Sequence, residues 1–380
     1  MSNPKRVLQV VSSTMRAGVE MTVMNLYREI DRDKLQFDFI VHALGNDDFG
    51  DEIAQMGGRV FCIPLLSKVG IPKFLKIVYD ILIQNGPYIA IHTHTDFQGG
   101  FFAKVAKRAG VPLRICHAHT DNRPIHSVSL FAKRMLGRFM IRRYATQRCA
   151  CSKNAGIALF GNRATAKGRV KIIRNSINLS DYREISPQMR EKLRGECGAD
   201  EQARLIGFVG RLNPVKNPSF MLDMAVEAKK TNLSDRFIFI GTGDLLQELI
   251  DKSKSLGVDD IVVFLGTRED VPALMQCLSV VVVPSLAEGF SLVTIEAQAA
   301  GTPVLAASVL PRETDMGLNL VQYMRLDAGA QAWTLQVGAL MNAAAAPGEK
   351  TRIGALSANG FDAKNNVNTT LGLYGVKVSN

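Results

Sequence analysis

No apolar run in this sequence approaches the ~20 residues that a membrane-spanning helix needs. The opening Met-Ser-Asn-Pro-Lys-Arg leads into a strand-like stretch without the apolar core of a signal peptide, so a cytoplasmic location is expected. The six cysteines (62, 116, 149, 151, 197 and 277) fall mostly inside apolar strand-like runs. They read as buried thiols of a reducing compartment, not as a disulfide framework. Cys149-Ala-Cys151 has no partner pair and reads as packing. The dinucleotide fingerprint G-x-G-x-x-G is absent, as is H-E-x-x-H. No internal repeat or low-complexity linker appears. No helix-turn-helix or aromatic-interleaved basic motif occurs, which argues against a nucleic-acid partner. The sequons at Asn178, Asn232 and Asn368 carry no weight without a secretory signal.

What is present is an ordinary globular composition, 47% hydrophobic and 21% charged over 380 residues, enough for about two full domains. The net charge of +11 is unevenly spread: residues 1–180 hold 27 Lys/Arg against 12 Asp/Glu, and the remainder 19 against 23. The first half therefore suits an anionic partner such as a phosphorylated substrate or a lipid headgroup.

Strand and helix patterns alternate along the chain. Strands are expected over 6–13, 37–41, 60–63, 88–94, 113–119 and 148–152, with helices over 19–30, 48–56, 72–84, 101–109 and 128–144 between them. The pattern loosens near 175–184. A second series follows: strands over 205–209, 237–240, 261–264, 278–283 and 303–306, helices over 219–230, 245–256 and 271–277. Helices over 332–345 and 361–374 end the chain. This is an α/β chain of two Rossmann-like, doubly wound domains facing across a cleft. The expected boundaries are 1–180 for the first domain and 181–362 for the second, with 363–380 a helix returning to the first.

The stretch from Ser285 to Gly301 organises the rest. Pro284 stops a buried strand, and a small polar loop leads to a helix beginning near Phe290. Glu288 then lies just outside the helix and Glu296 about two turns in, some 12 Å of rise apart. The two carboxylates cannot share one proton or metal, but they can hold two ends of an elongated ligand, with helix N–H groups for an anion between them. A nucleotide-sugar has that shape; two solvated helix carboxylates are the plain alternative. Arg211 and Lys216, in Gly210-Arg-Leu-Asn-Pro-Val-Lys216, leave the end of another strand on one loop. They suit a diphosphate, the Arg by bidentate contact and the Lys as a compact charge, or are two solvated surface cations.

His92-Thr-His94 and His117-Ala-His119 end first-domain strands, and a period of two points each pair to one face. Asp96 and Asp121 lie nearby. A metal-dependent hydrolase is a rival reading, weakened because no further carboxylate or His stands at ligand spacing. A single functional histidine, His119, is the preferred one. Asp31-Arg-Asp33 resembles a D-x-D metal motif but sits at a helix end and reads as helix termination. Lys133, Arg134, Arg138, Arg142 and Arg143 stand between Leu130, Phe131, Met135, Leu136, Phe139, Met140 and Ile141, giving an amphipathic helix with a cationic face. That face is either plainly solvated or turned to anionic lipid.

The order of motifs resembles the family 4 retaining glycosyltransferases of the GT-B fold, along nearly the whole chain. Glu288-x7-Glu296 together with Gly210-Arg211-x4-Lys216 carries the likeness. RVLQVVSSTMRAGVEMTVMNL, RICHAHTDN, CACSKNAGIALFG and EGFSLVTIEAQAAGTPVLAA are similar to the branch that builds exopolysaccharide, capsule or O-antigen. The resemblance implies Arg211 and Lys216 on the donor diphosphate, Glu288 on the donor sugar hydroxyls and Glu296 on the ribose. It implies backbone amides of Gly289, Phe290 and Ser291 on sugar and phosphate, Gly18 beside the phosphates and His119 near the reacting sugar carbon. It implies no metal and no cofactor beyond the donor. One departure is that the paired glycine of the first loop is Ala17-Gly18 here.

The expected activity is transfer of a sugar from a nucleotide-sugar, UDP-linked by expectation, to a glycan or polyprenyl-linked acceptor in cell-surface glycan biosynthesis. Peripheral contact with the inner face of an anionic membrane, through the basic first domain, is expected with it. Two alternatives stand beside this: the hydrolase already named, and a non-catalytic module that binds polyanions or membranes.

Overall fold

The computed structural model describes residues 3–15, 18–44, 49–119, 128–200, 202–230, 235–342 and 346–376. The chain divides into two compact units, residues 1–177 with 360–380, and residues 178–359.

The first unit is built on seven strands: β1 (Lys5–Val10), β2 (Leu35–Val41), β3 (Val60–Cys62), β4 (Tyr88–Thr93), β5 (Leu113–Ala118), β6 (Gln147–Ala150) and β7 (Lys171–Ile172). They are ordered β3-β2-β1-β4-β5-β6-β7, and the registered pairs are parallel. Alternate residues of β1 serve opposite faces. Val7 packs with Tyr27, Phe37 and Phe39 on one side, and Leu8 and Val10 pack with Phe74, Phe101 and Phe102 on the other. A sheet covered on both faces accounts for the near-continuous apolar runs. Between the strands, Gly100 and Gly137 bring the helices Gly99–Arg108 and Val128–Tyr144 together. A Cβ on Gly100 would lie 2.2 Å from the Gly137 carbonyl oxygen.

The chain leaves this unit at Ile177 and re-enters beside it: Ile177 N donates to Phe361 O at 3.0 Å and Ala363 N to Ile177 O at 2.9 Å. The helix Ala363–Leu373 then adds Val367, Leu371 and Leu373 to the same core as Tyr27, and Tyr374 follows it.

The second unit has six strands: β8 (Arg204–Val209), β9 (Asp235–Ile240), β10 (Val262–Gly266), β11 (Val280–Val283), β12 (Val304–Ala307) and β13 (Val321–Met324), ordered β10-β9-β8-β11-β12-β13. Both sheets step outward from their first strand to one side and then to the other. The order therefore reverses between β1 and β4, and again between β8 and β11.

Several elements depart from the sequence reading, the short strand β7 among them. Pro187–Glu196 is a helix, started by Ser186 Oγ accepting from Met189 N at 3.2 Å with Pro187 in its first turn. β13 occupies an edge of the second sheet, and Glu349–Ala358 is a further helix. The helix expected from Phe290 begins at Leu292, because Ser291 is extended (φ −93°, ψ 97°) and Phe290 is buried. Glu296 is thus its fifth residue, little more than one turn in. Of the cysteines, Cys62 is exposed and the other five are buried free thiols.

Candidate functional site

β8 and β11 are neighbours where the strand order reverses, so the loops that follow them leave the carboxyl edge side by side. That crevice is where doubly wound sheets take ligands. The loop after β8 is shaped by two asparagines. Asn213 Oδ1 accepts from Lys216 N at 3.0 Å and starts the short turn Pro214–Lys216. Asn217 then takes a left-handed conformation (φ 54°) and donates through Nδ2 to Pro284 O at 3.2 Å. Leu286 N donates to Val215 O at 2.8 Å, so the two loops are stitched at the backbone.

That stitching brings Lys216 Nζ into an ion pair with Glu288 Oε1, which also accepts from Ser285 Oγ at 3.0 Å. The Glu288 side chain is only 7% exposed and the Lys216 side chain 29%. Arg211 is exposed, and among the described residues its guanidinium makes no hydrogen bond or ion pair. The two cations of one loop are therefore in different states: Lys216 is engaged and Arg211 is available.

Glu296 is half-buried on the helix Leu292–Ala300. Burial raises its carboxyl to about 7, against the attraction of Lys216. Its charge also pushes the buried Tyr182 phenol further above its usual range, after burial itself. Lys216 thus bonds one carboxylate and attracts the other. Ser291, at the helix start, spends its hydroxyl as acceptor for Thr294 Oγ1 at 3.0 Å. No side chain caps the first turn, leaving its N–H groups for a ligand. Gly289 is half-buried beside it. Gln298, one turn further on, donates to Thr314 O at 2.7 Å and accepts from Met316 N at 2.9 Å, fixing the loop after β12.

One element of this site escaped the sequence reading. Gly241-Thr242-Gly243 follows β9 and lies against the Arg211 loop: Gly210 N donates to Ile240 O and Leu212 N to Thr242 O, both at 2.9 Å. A Cβ on Gly241 (φ +130°) would stand 2.2 Å from Gly210 O, and one on Gly243 2.3 Å from Leu212 O. The signal was there, a Gly-x-Gly at a strand end.

In the first unit, β4 and β5 deliver four buried histidines to one place. His94 Nδ1 and His119 Nε2 are 2.8 Å apart, and His92 Nε2 and His117 Nδ1 3.2 Å. His119 Nδ1 meets Asn175 Oδ1 at 3.1 Å, and His94 Nε2 meets Gln9 Oε1 at 3.1 Å. Burial, first of all, holds His92, His94 and His117 well below the ordinary histidine range, with neighbouring imidazoles adding to it. His119 falls to about 4, also through burial. The rings are neutral at pH 7. A cavity of about 30 Å³ is lined by them together with Gln9 and Ile173. Nitrogens of His92, His94 and His117 lie within 4.8 Å of one another, close enough for a metal, yet seven of the eight ring nitrogens of the quartet already bond to a neighbour. Metal binding would cost those bonds. Gly18 opens the helix Gly18–Glu29, exposed, its carbonyl accepting from Thr22 Oγ1 at 2.9 Å. Ala17 before it, and Asp121 beyond His119, lie outside the described residues.

The comparisons agree with this layout. Residues 17–175 match the model of the glycosyl transferase 4-like domain, and residues 203–334 that of the glycosyl transferases group 1. EpsF of Bacillus subtilis (strain 168), named as a glycosyltransferase, is 34% identical over 376 residues, covering 99% of this chain and 97% of EpsF. An Escherichia coli UDP-Gal:alpha-D-GlcNAc-diphosphoundecaprenol alpha-1,3-galactosyltransferase is 24% identical over 321 residues, 80% of this chain and 79% of that one. The crystal structure of Anabaena HepE in complex with UDP-glucose shares the fold at a TM-score of 0.72 and 22% identity, covering 97% of this chain and 99% of HepE. With a likeness that runs along its whole length, this chain belongs to the group 1, family 4 glycosyltransferases of the GT-B fold, enzymes that use a nucleotide-sugar.

Proposed function

We propose that the protein is a retaining glycosyltransferase that moves a hexose from a UDP-sugar to a lipid-linked or polysaccharide acceptor in cell-surface glycan biosynthesis. The observation that carries this reading is the stitched pair of loops after β8 and β11, which sets Lys216 between Glu288 and Glu296 with Arg211 available beside them. Arg211 and Lys216 would neutralise the diphosphate, and stabilise the charge that grows on it as the sugar departs. Glu288 would bind sugar hydroxyls and Glu296 the ribose, with the amides of Gly289, Phe290 and Ser291 contributing to sugar and phosphate. From the first unit, Gly18 would approach the phosphates and His119 the reacting sugar carbon. A relative that uses UDP-Gal on a diphosphoundecaprenol acceptor, and a neighbour in fold that binds UDP-glucose, support this choice of donor and acceptor.

The exposed apolar and cationic side chains of the helix Val128–Tyr144 support contact with an anionic membrane carrying the acceptor. The reading is tested by thermal shift against a panel of nucleotide-sugars, followed by release of nucleotide from those that bind. A bound ligand raises the melting temperature as its concentration passes Kd. UDP-sugars are expected to give the largest shifts. A panel with no shift, from a folded protein that releases no nucleotide, would refute it.

A further inference from the structure

The histidine quartet is wired to the C-terminal segment through one hydroxyl. Gln9 Nε2 donates to Tyr374 Oη at 3.0 Å, and Tyr374 Oη lies 2.8 Å from His92 Nδ1. With the contacts already given, this makes a continuous path: Asn175, His119, His94, Gln9, Tyr374, His92, His117. Each neutral imidazole brings one N–H and one bare nitrogen, so the protons can be counted along it.

The count begins at the far end. His117 Nδ1 is used by His92 and its Nε2 has no hydrogen-bond partner. The Ile173 backbone favours the charged ring, and since Ile173 N already donates to Ala150 O at 2.9 Å, the group it turns to the ring is its carbonyl, an acceptor. A carbonyl cannot donate, so the proton of His117 belongs on Nε2. Its Nδ1 is then bare and receives His92 Nε2–H. His92 Nδ1 is bare in turn and receives the Tyr374 hydroxyl proton, while the phenol oxygen receives Gln9 Nε2–H. Gln9 Oε1 takes His94 Nε2–H, so His94 Nδ1 is bare and accepts His119 Nε2–H. His119 Nδ1 is left bare and requires a donor. Asn175 supplies it by exchanging the places of its amide oxygen and nitrogen, which moves neither its backbone nor the ring. The alternative is two amide oxygens at the ends of three contacts with only two imidazole protons between them, one proton short unless a histidine is charged. Burial excludes that charge at neutral pH.

We propose that Tyr374 is a positioning residue: through Gln9 and His94 its hydroxyl holds His119 in the tautomer that carries its proton on Nε2. The part it plays in the reaction rests on the reading that His119 lies at the reacting sugar carbon; the wiring does not. A tautomer is set by what the other ring nitrogen bonds, and here that control originates in a residue that follows the last helix.

Tyr374→Phe keeps the ring and its edge contact with Phe37 while removing the relay. Gln9 then faces either an orphaned N–H or an orphaned oxygen, and buried orphan carbonyls are the better tolerated. Its amide turns its nitrogen to His94, and the polarity of the path reverses as far as Asn175. The proton of His119 moves from Nε2 to Nδ1.

The test is nitrogen NMR of protein labelled at histidine, in which protonated and bare ring nitrogens resonate far apart. The six histidines are assigned by single replacements. In the wild type His119 is expected protonated at Nε2, and in Tyr374→Phe at Nδ1. In a Gln9→Leu background the phenol has no route to His94, so adding Tyr374→Phe should leave His119 as it was. Turnover of donor should fall roughly 10- to 100-fold in Tyr374→Phe, as when the group orienting a functional histidine is lost, with KM for donor little changed. An identical His119 tautomer in wild type and Tyr374→Phe would overturn the proposal, as would an equal change with Gln9 already replaced. A tautomer that moves while turnover stays constant upholds the relay and removes His119 from the reaction.

Discussion

Lys216 and Glu288 are bonded to each other across 72 positions of chain, on loops that leave two adjacent strands. The pair is a consequence of topology. Where the strand order reverses, the neighbouring strands send their crossover helices to opposite faces of the sheet, and the loops between are free to meet. The pair holds a carboxylate that is almost fully buried, and on the proposed reading the same ammonium would neutralise the donor diphosphate.

Lys216→Ala should therefore separate catalysis from folding. Loss of one oriented charge at a developing anion costs about 2.7–4 kcal/mol of barrier, a fall of about 100- to 1,000-fold in kcat. The fold should lose about 1–3 kcal/mol, since the buried Glu288 carboxylate is left with Ser285 as its remaining donor, a loss that thermal melting reads separately from turnover. Nucleotide release from the donor and thermal melting, measured on one preparation, decide it. Wild-type release by the variant would remove Lys216 from the chemistry.

Gly243→Ala tests whether the loop after β9 shapes the site. The added methyl would meet Leu212 O at 2.3 Å, and a backbone oxygen cannot rotate away as a side chain can. The Arg211 loop must shift. Overpacking of this kind costs about 1–3 kcal/mol, and UDP affinity, read by calorimetry, should fall at least tenfold. Unchanged affinity would mean that the loop positions nothing the ligand touches.

Much of the architecture was legible because parallel strands buried on both faces read as apolar runs, as Val280–Val283 does. What escaped shares a physical reason. In the helix Pro187–Glu196 only Leu193 is buried, so apolar spacing leaves no trace, and only the Ser-Pro start signals it. β13 is a half-exposed edge strand of four residues. The start at Leu292 instead of Phe290 follows from Phe290 being buried in an extended segment, where side-chain polarity alone cannot distinguish a loop from a first helical turn. At the site, residue types were legible and pairings were not. Gln9 and Tyr374 are 365 positions apart, and nothing in either neighbourhood announces the other.

Glu296 should make stability depend on pH with an inverted sign. Its carboxyl stands at about 7 in the fold and near 4.5 when unfolded, so between those values the native state binds more protons than the unfolded state. Stability from this group is full below about pH 4.5, declines as pH rises, and is lost above about 7. The whole effect is worth about 3 kcal/mol. Glu296→Gln removes it, so the variant should gain on wild type between pH 5 and pH 8 in urea unfolding without ligand. Parallel curves for the two proteins would contradict the raised carboxyl.

Chelation should leave turnover unchanged. Ring nitrogens of His92, His94 and His117 are close enough for a metal, but each ring is bonded to Tyr374, Gln9 or another histidine, and a metal would have to displace those partners. Extensive dialysis against EDTA, with metal analysis before and after, should show neither stoichiometric metal nor lost activity. Activity that vanishes and returns with a divalent ion would restore the hydrolase-like alternative.

The helix Val128–Tyr144 offers the last prediction. Phe131, Met135 and Phe139 recur every fourth residue and are 53%, 49% and 63% exposed, forming one stripe. Met140 and Ile141 are buried, and a Cβ on Gly137 would lie 2.3 Å from Phe97 O, so the opposite side is held against its neighbour and the stripe cannot turn inward. Arg134, Arg138 and Arg142 run along one side of it, and burial with the pressure of Arg134 and Arg142 lowers the Arg138 guanidinium. Like charges crowded beside exposed apolar rings gain from an anionic bilayer, which takes both. Vesicles containing phosphatidylglycerol should bind the protein, less tightly as salt rises, and neutral vesicles should bind it weakly. Phe131→Ser with Phe139→Ser removes two insertable rings, each worth about 1.5–3 kcal/mol when fully buried; with partial insertion the loss should still exceed roughly tenfold. Release of nucleotide from a soluble donor should be untouched, because both rings belong to the first unit and the β8 and β11 loops to the second. Equal vesicle binding by the double variant would show that charge alone drives the contact, and no binding by the wild type would leave the stripe without a membrane role.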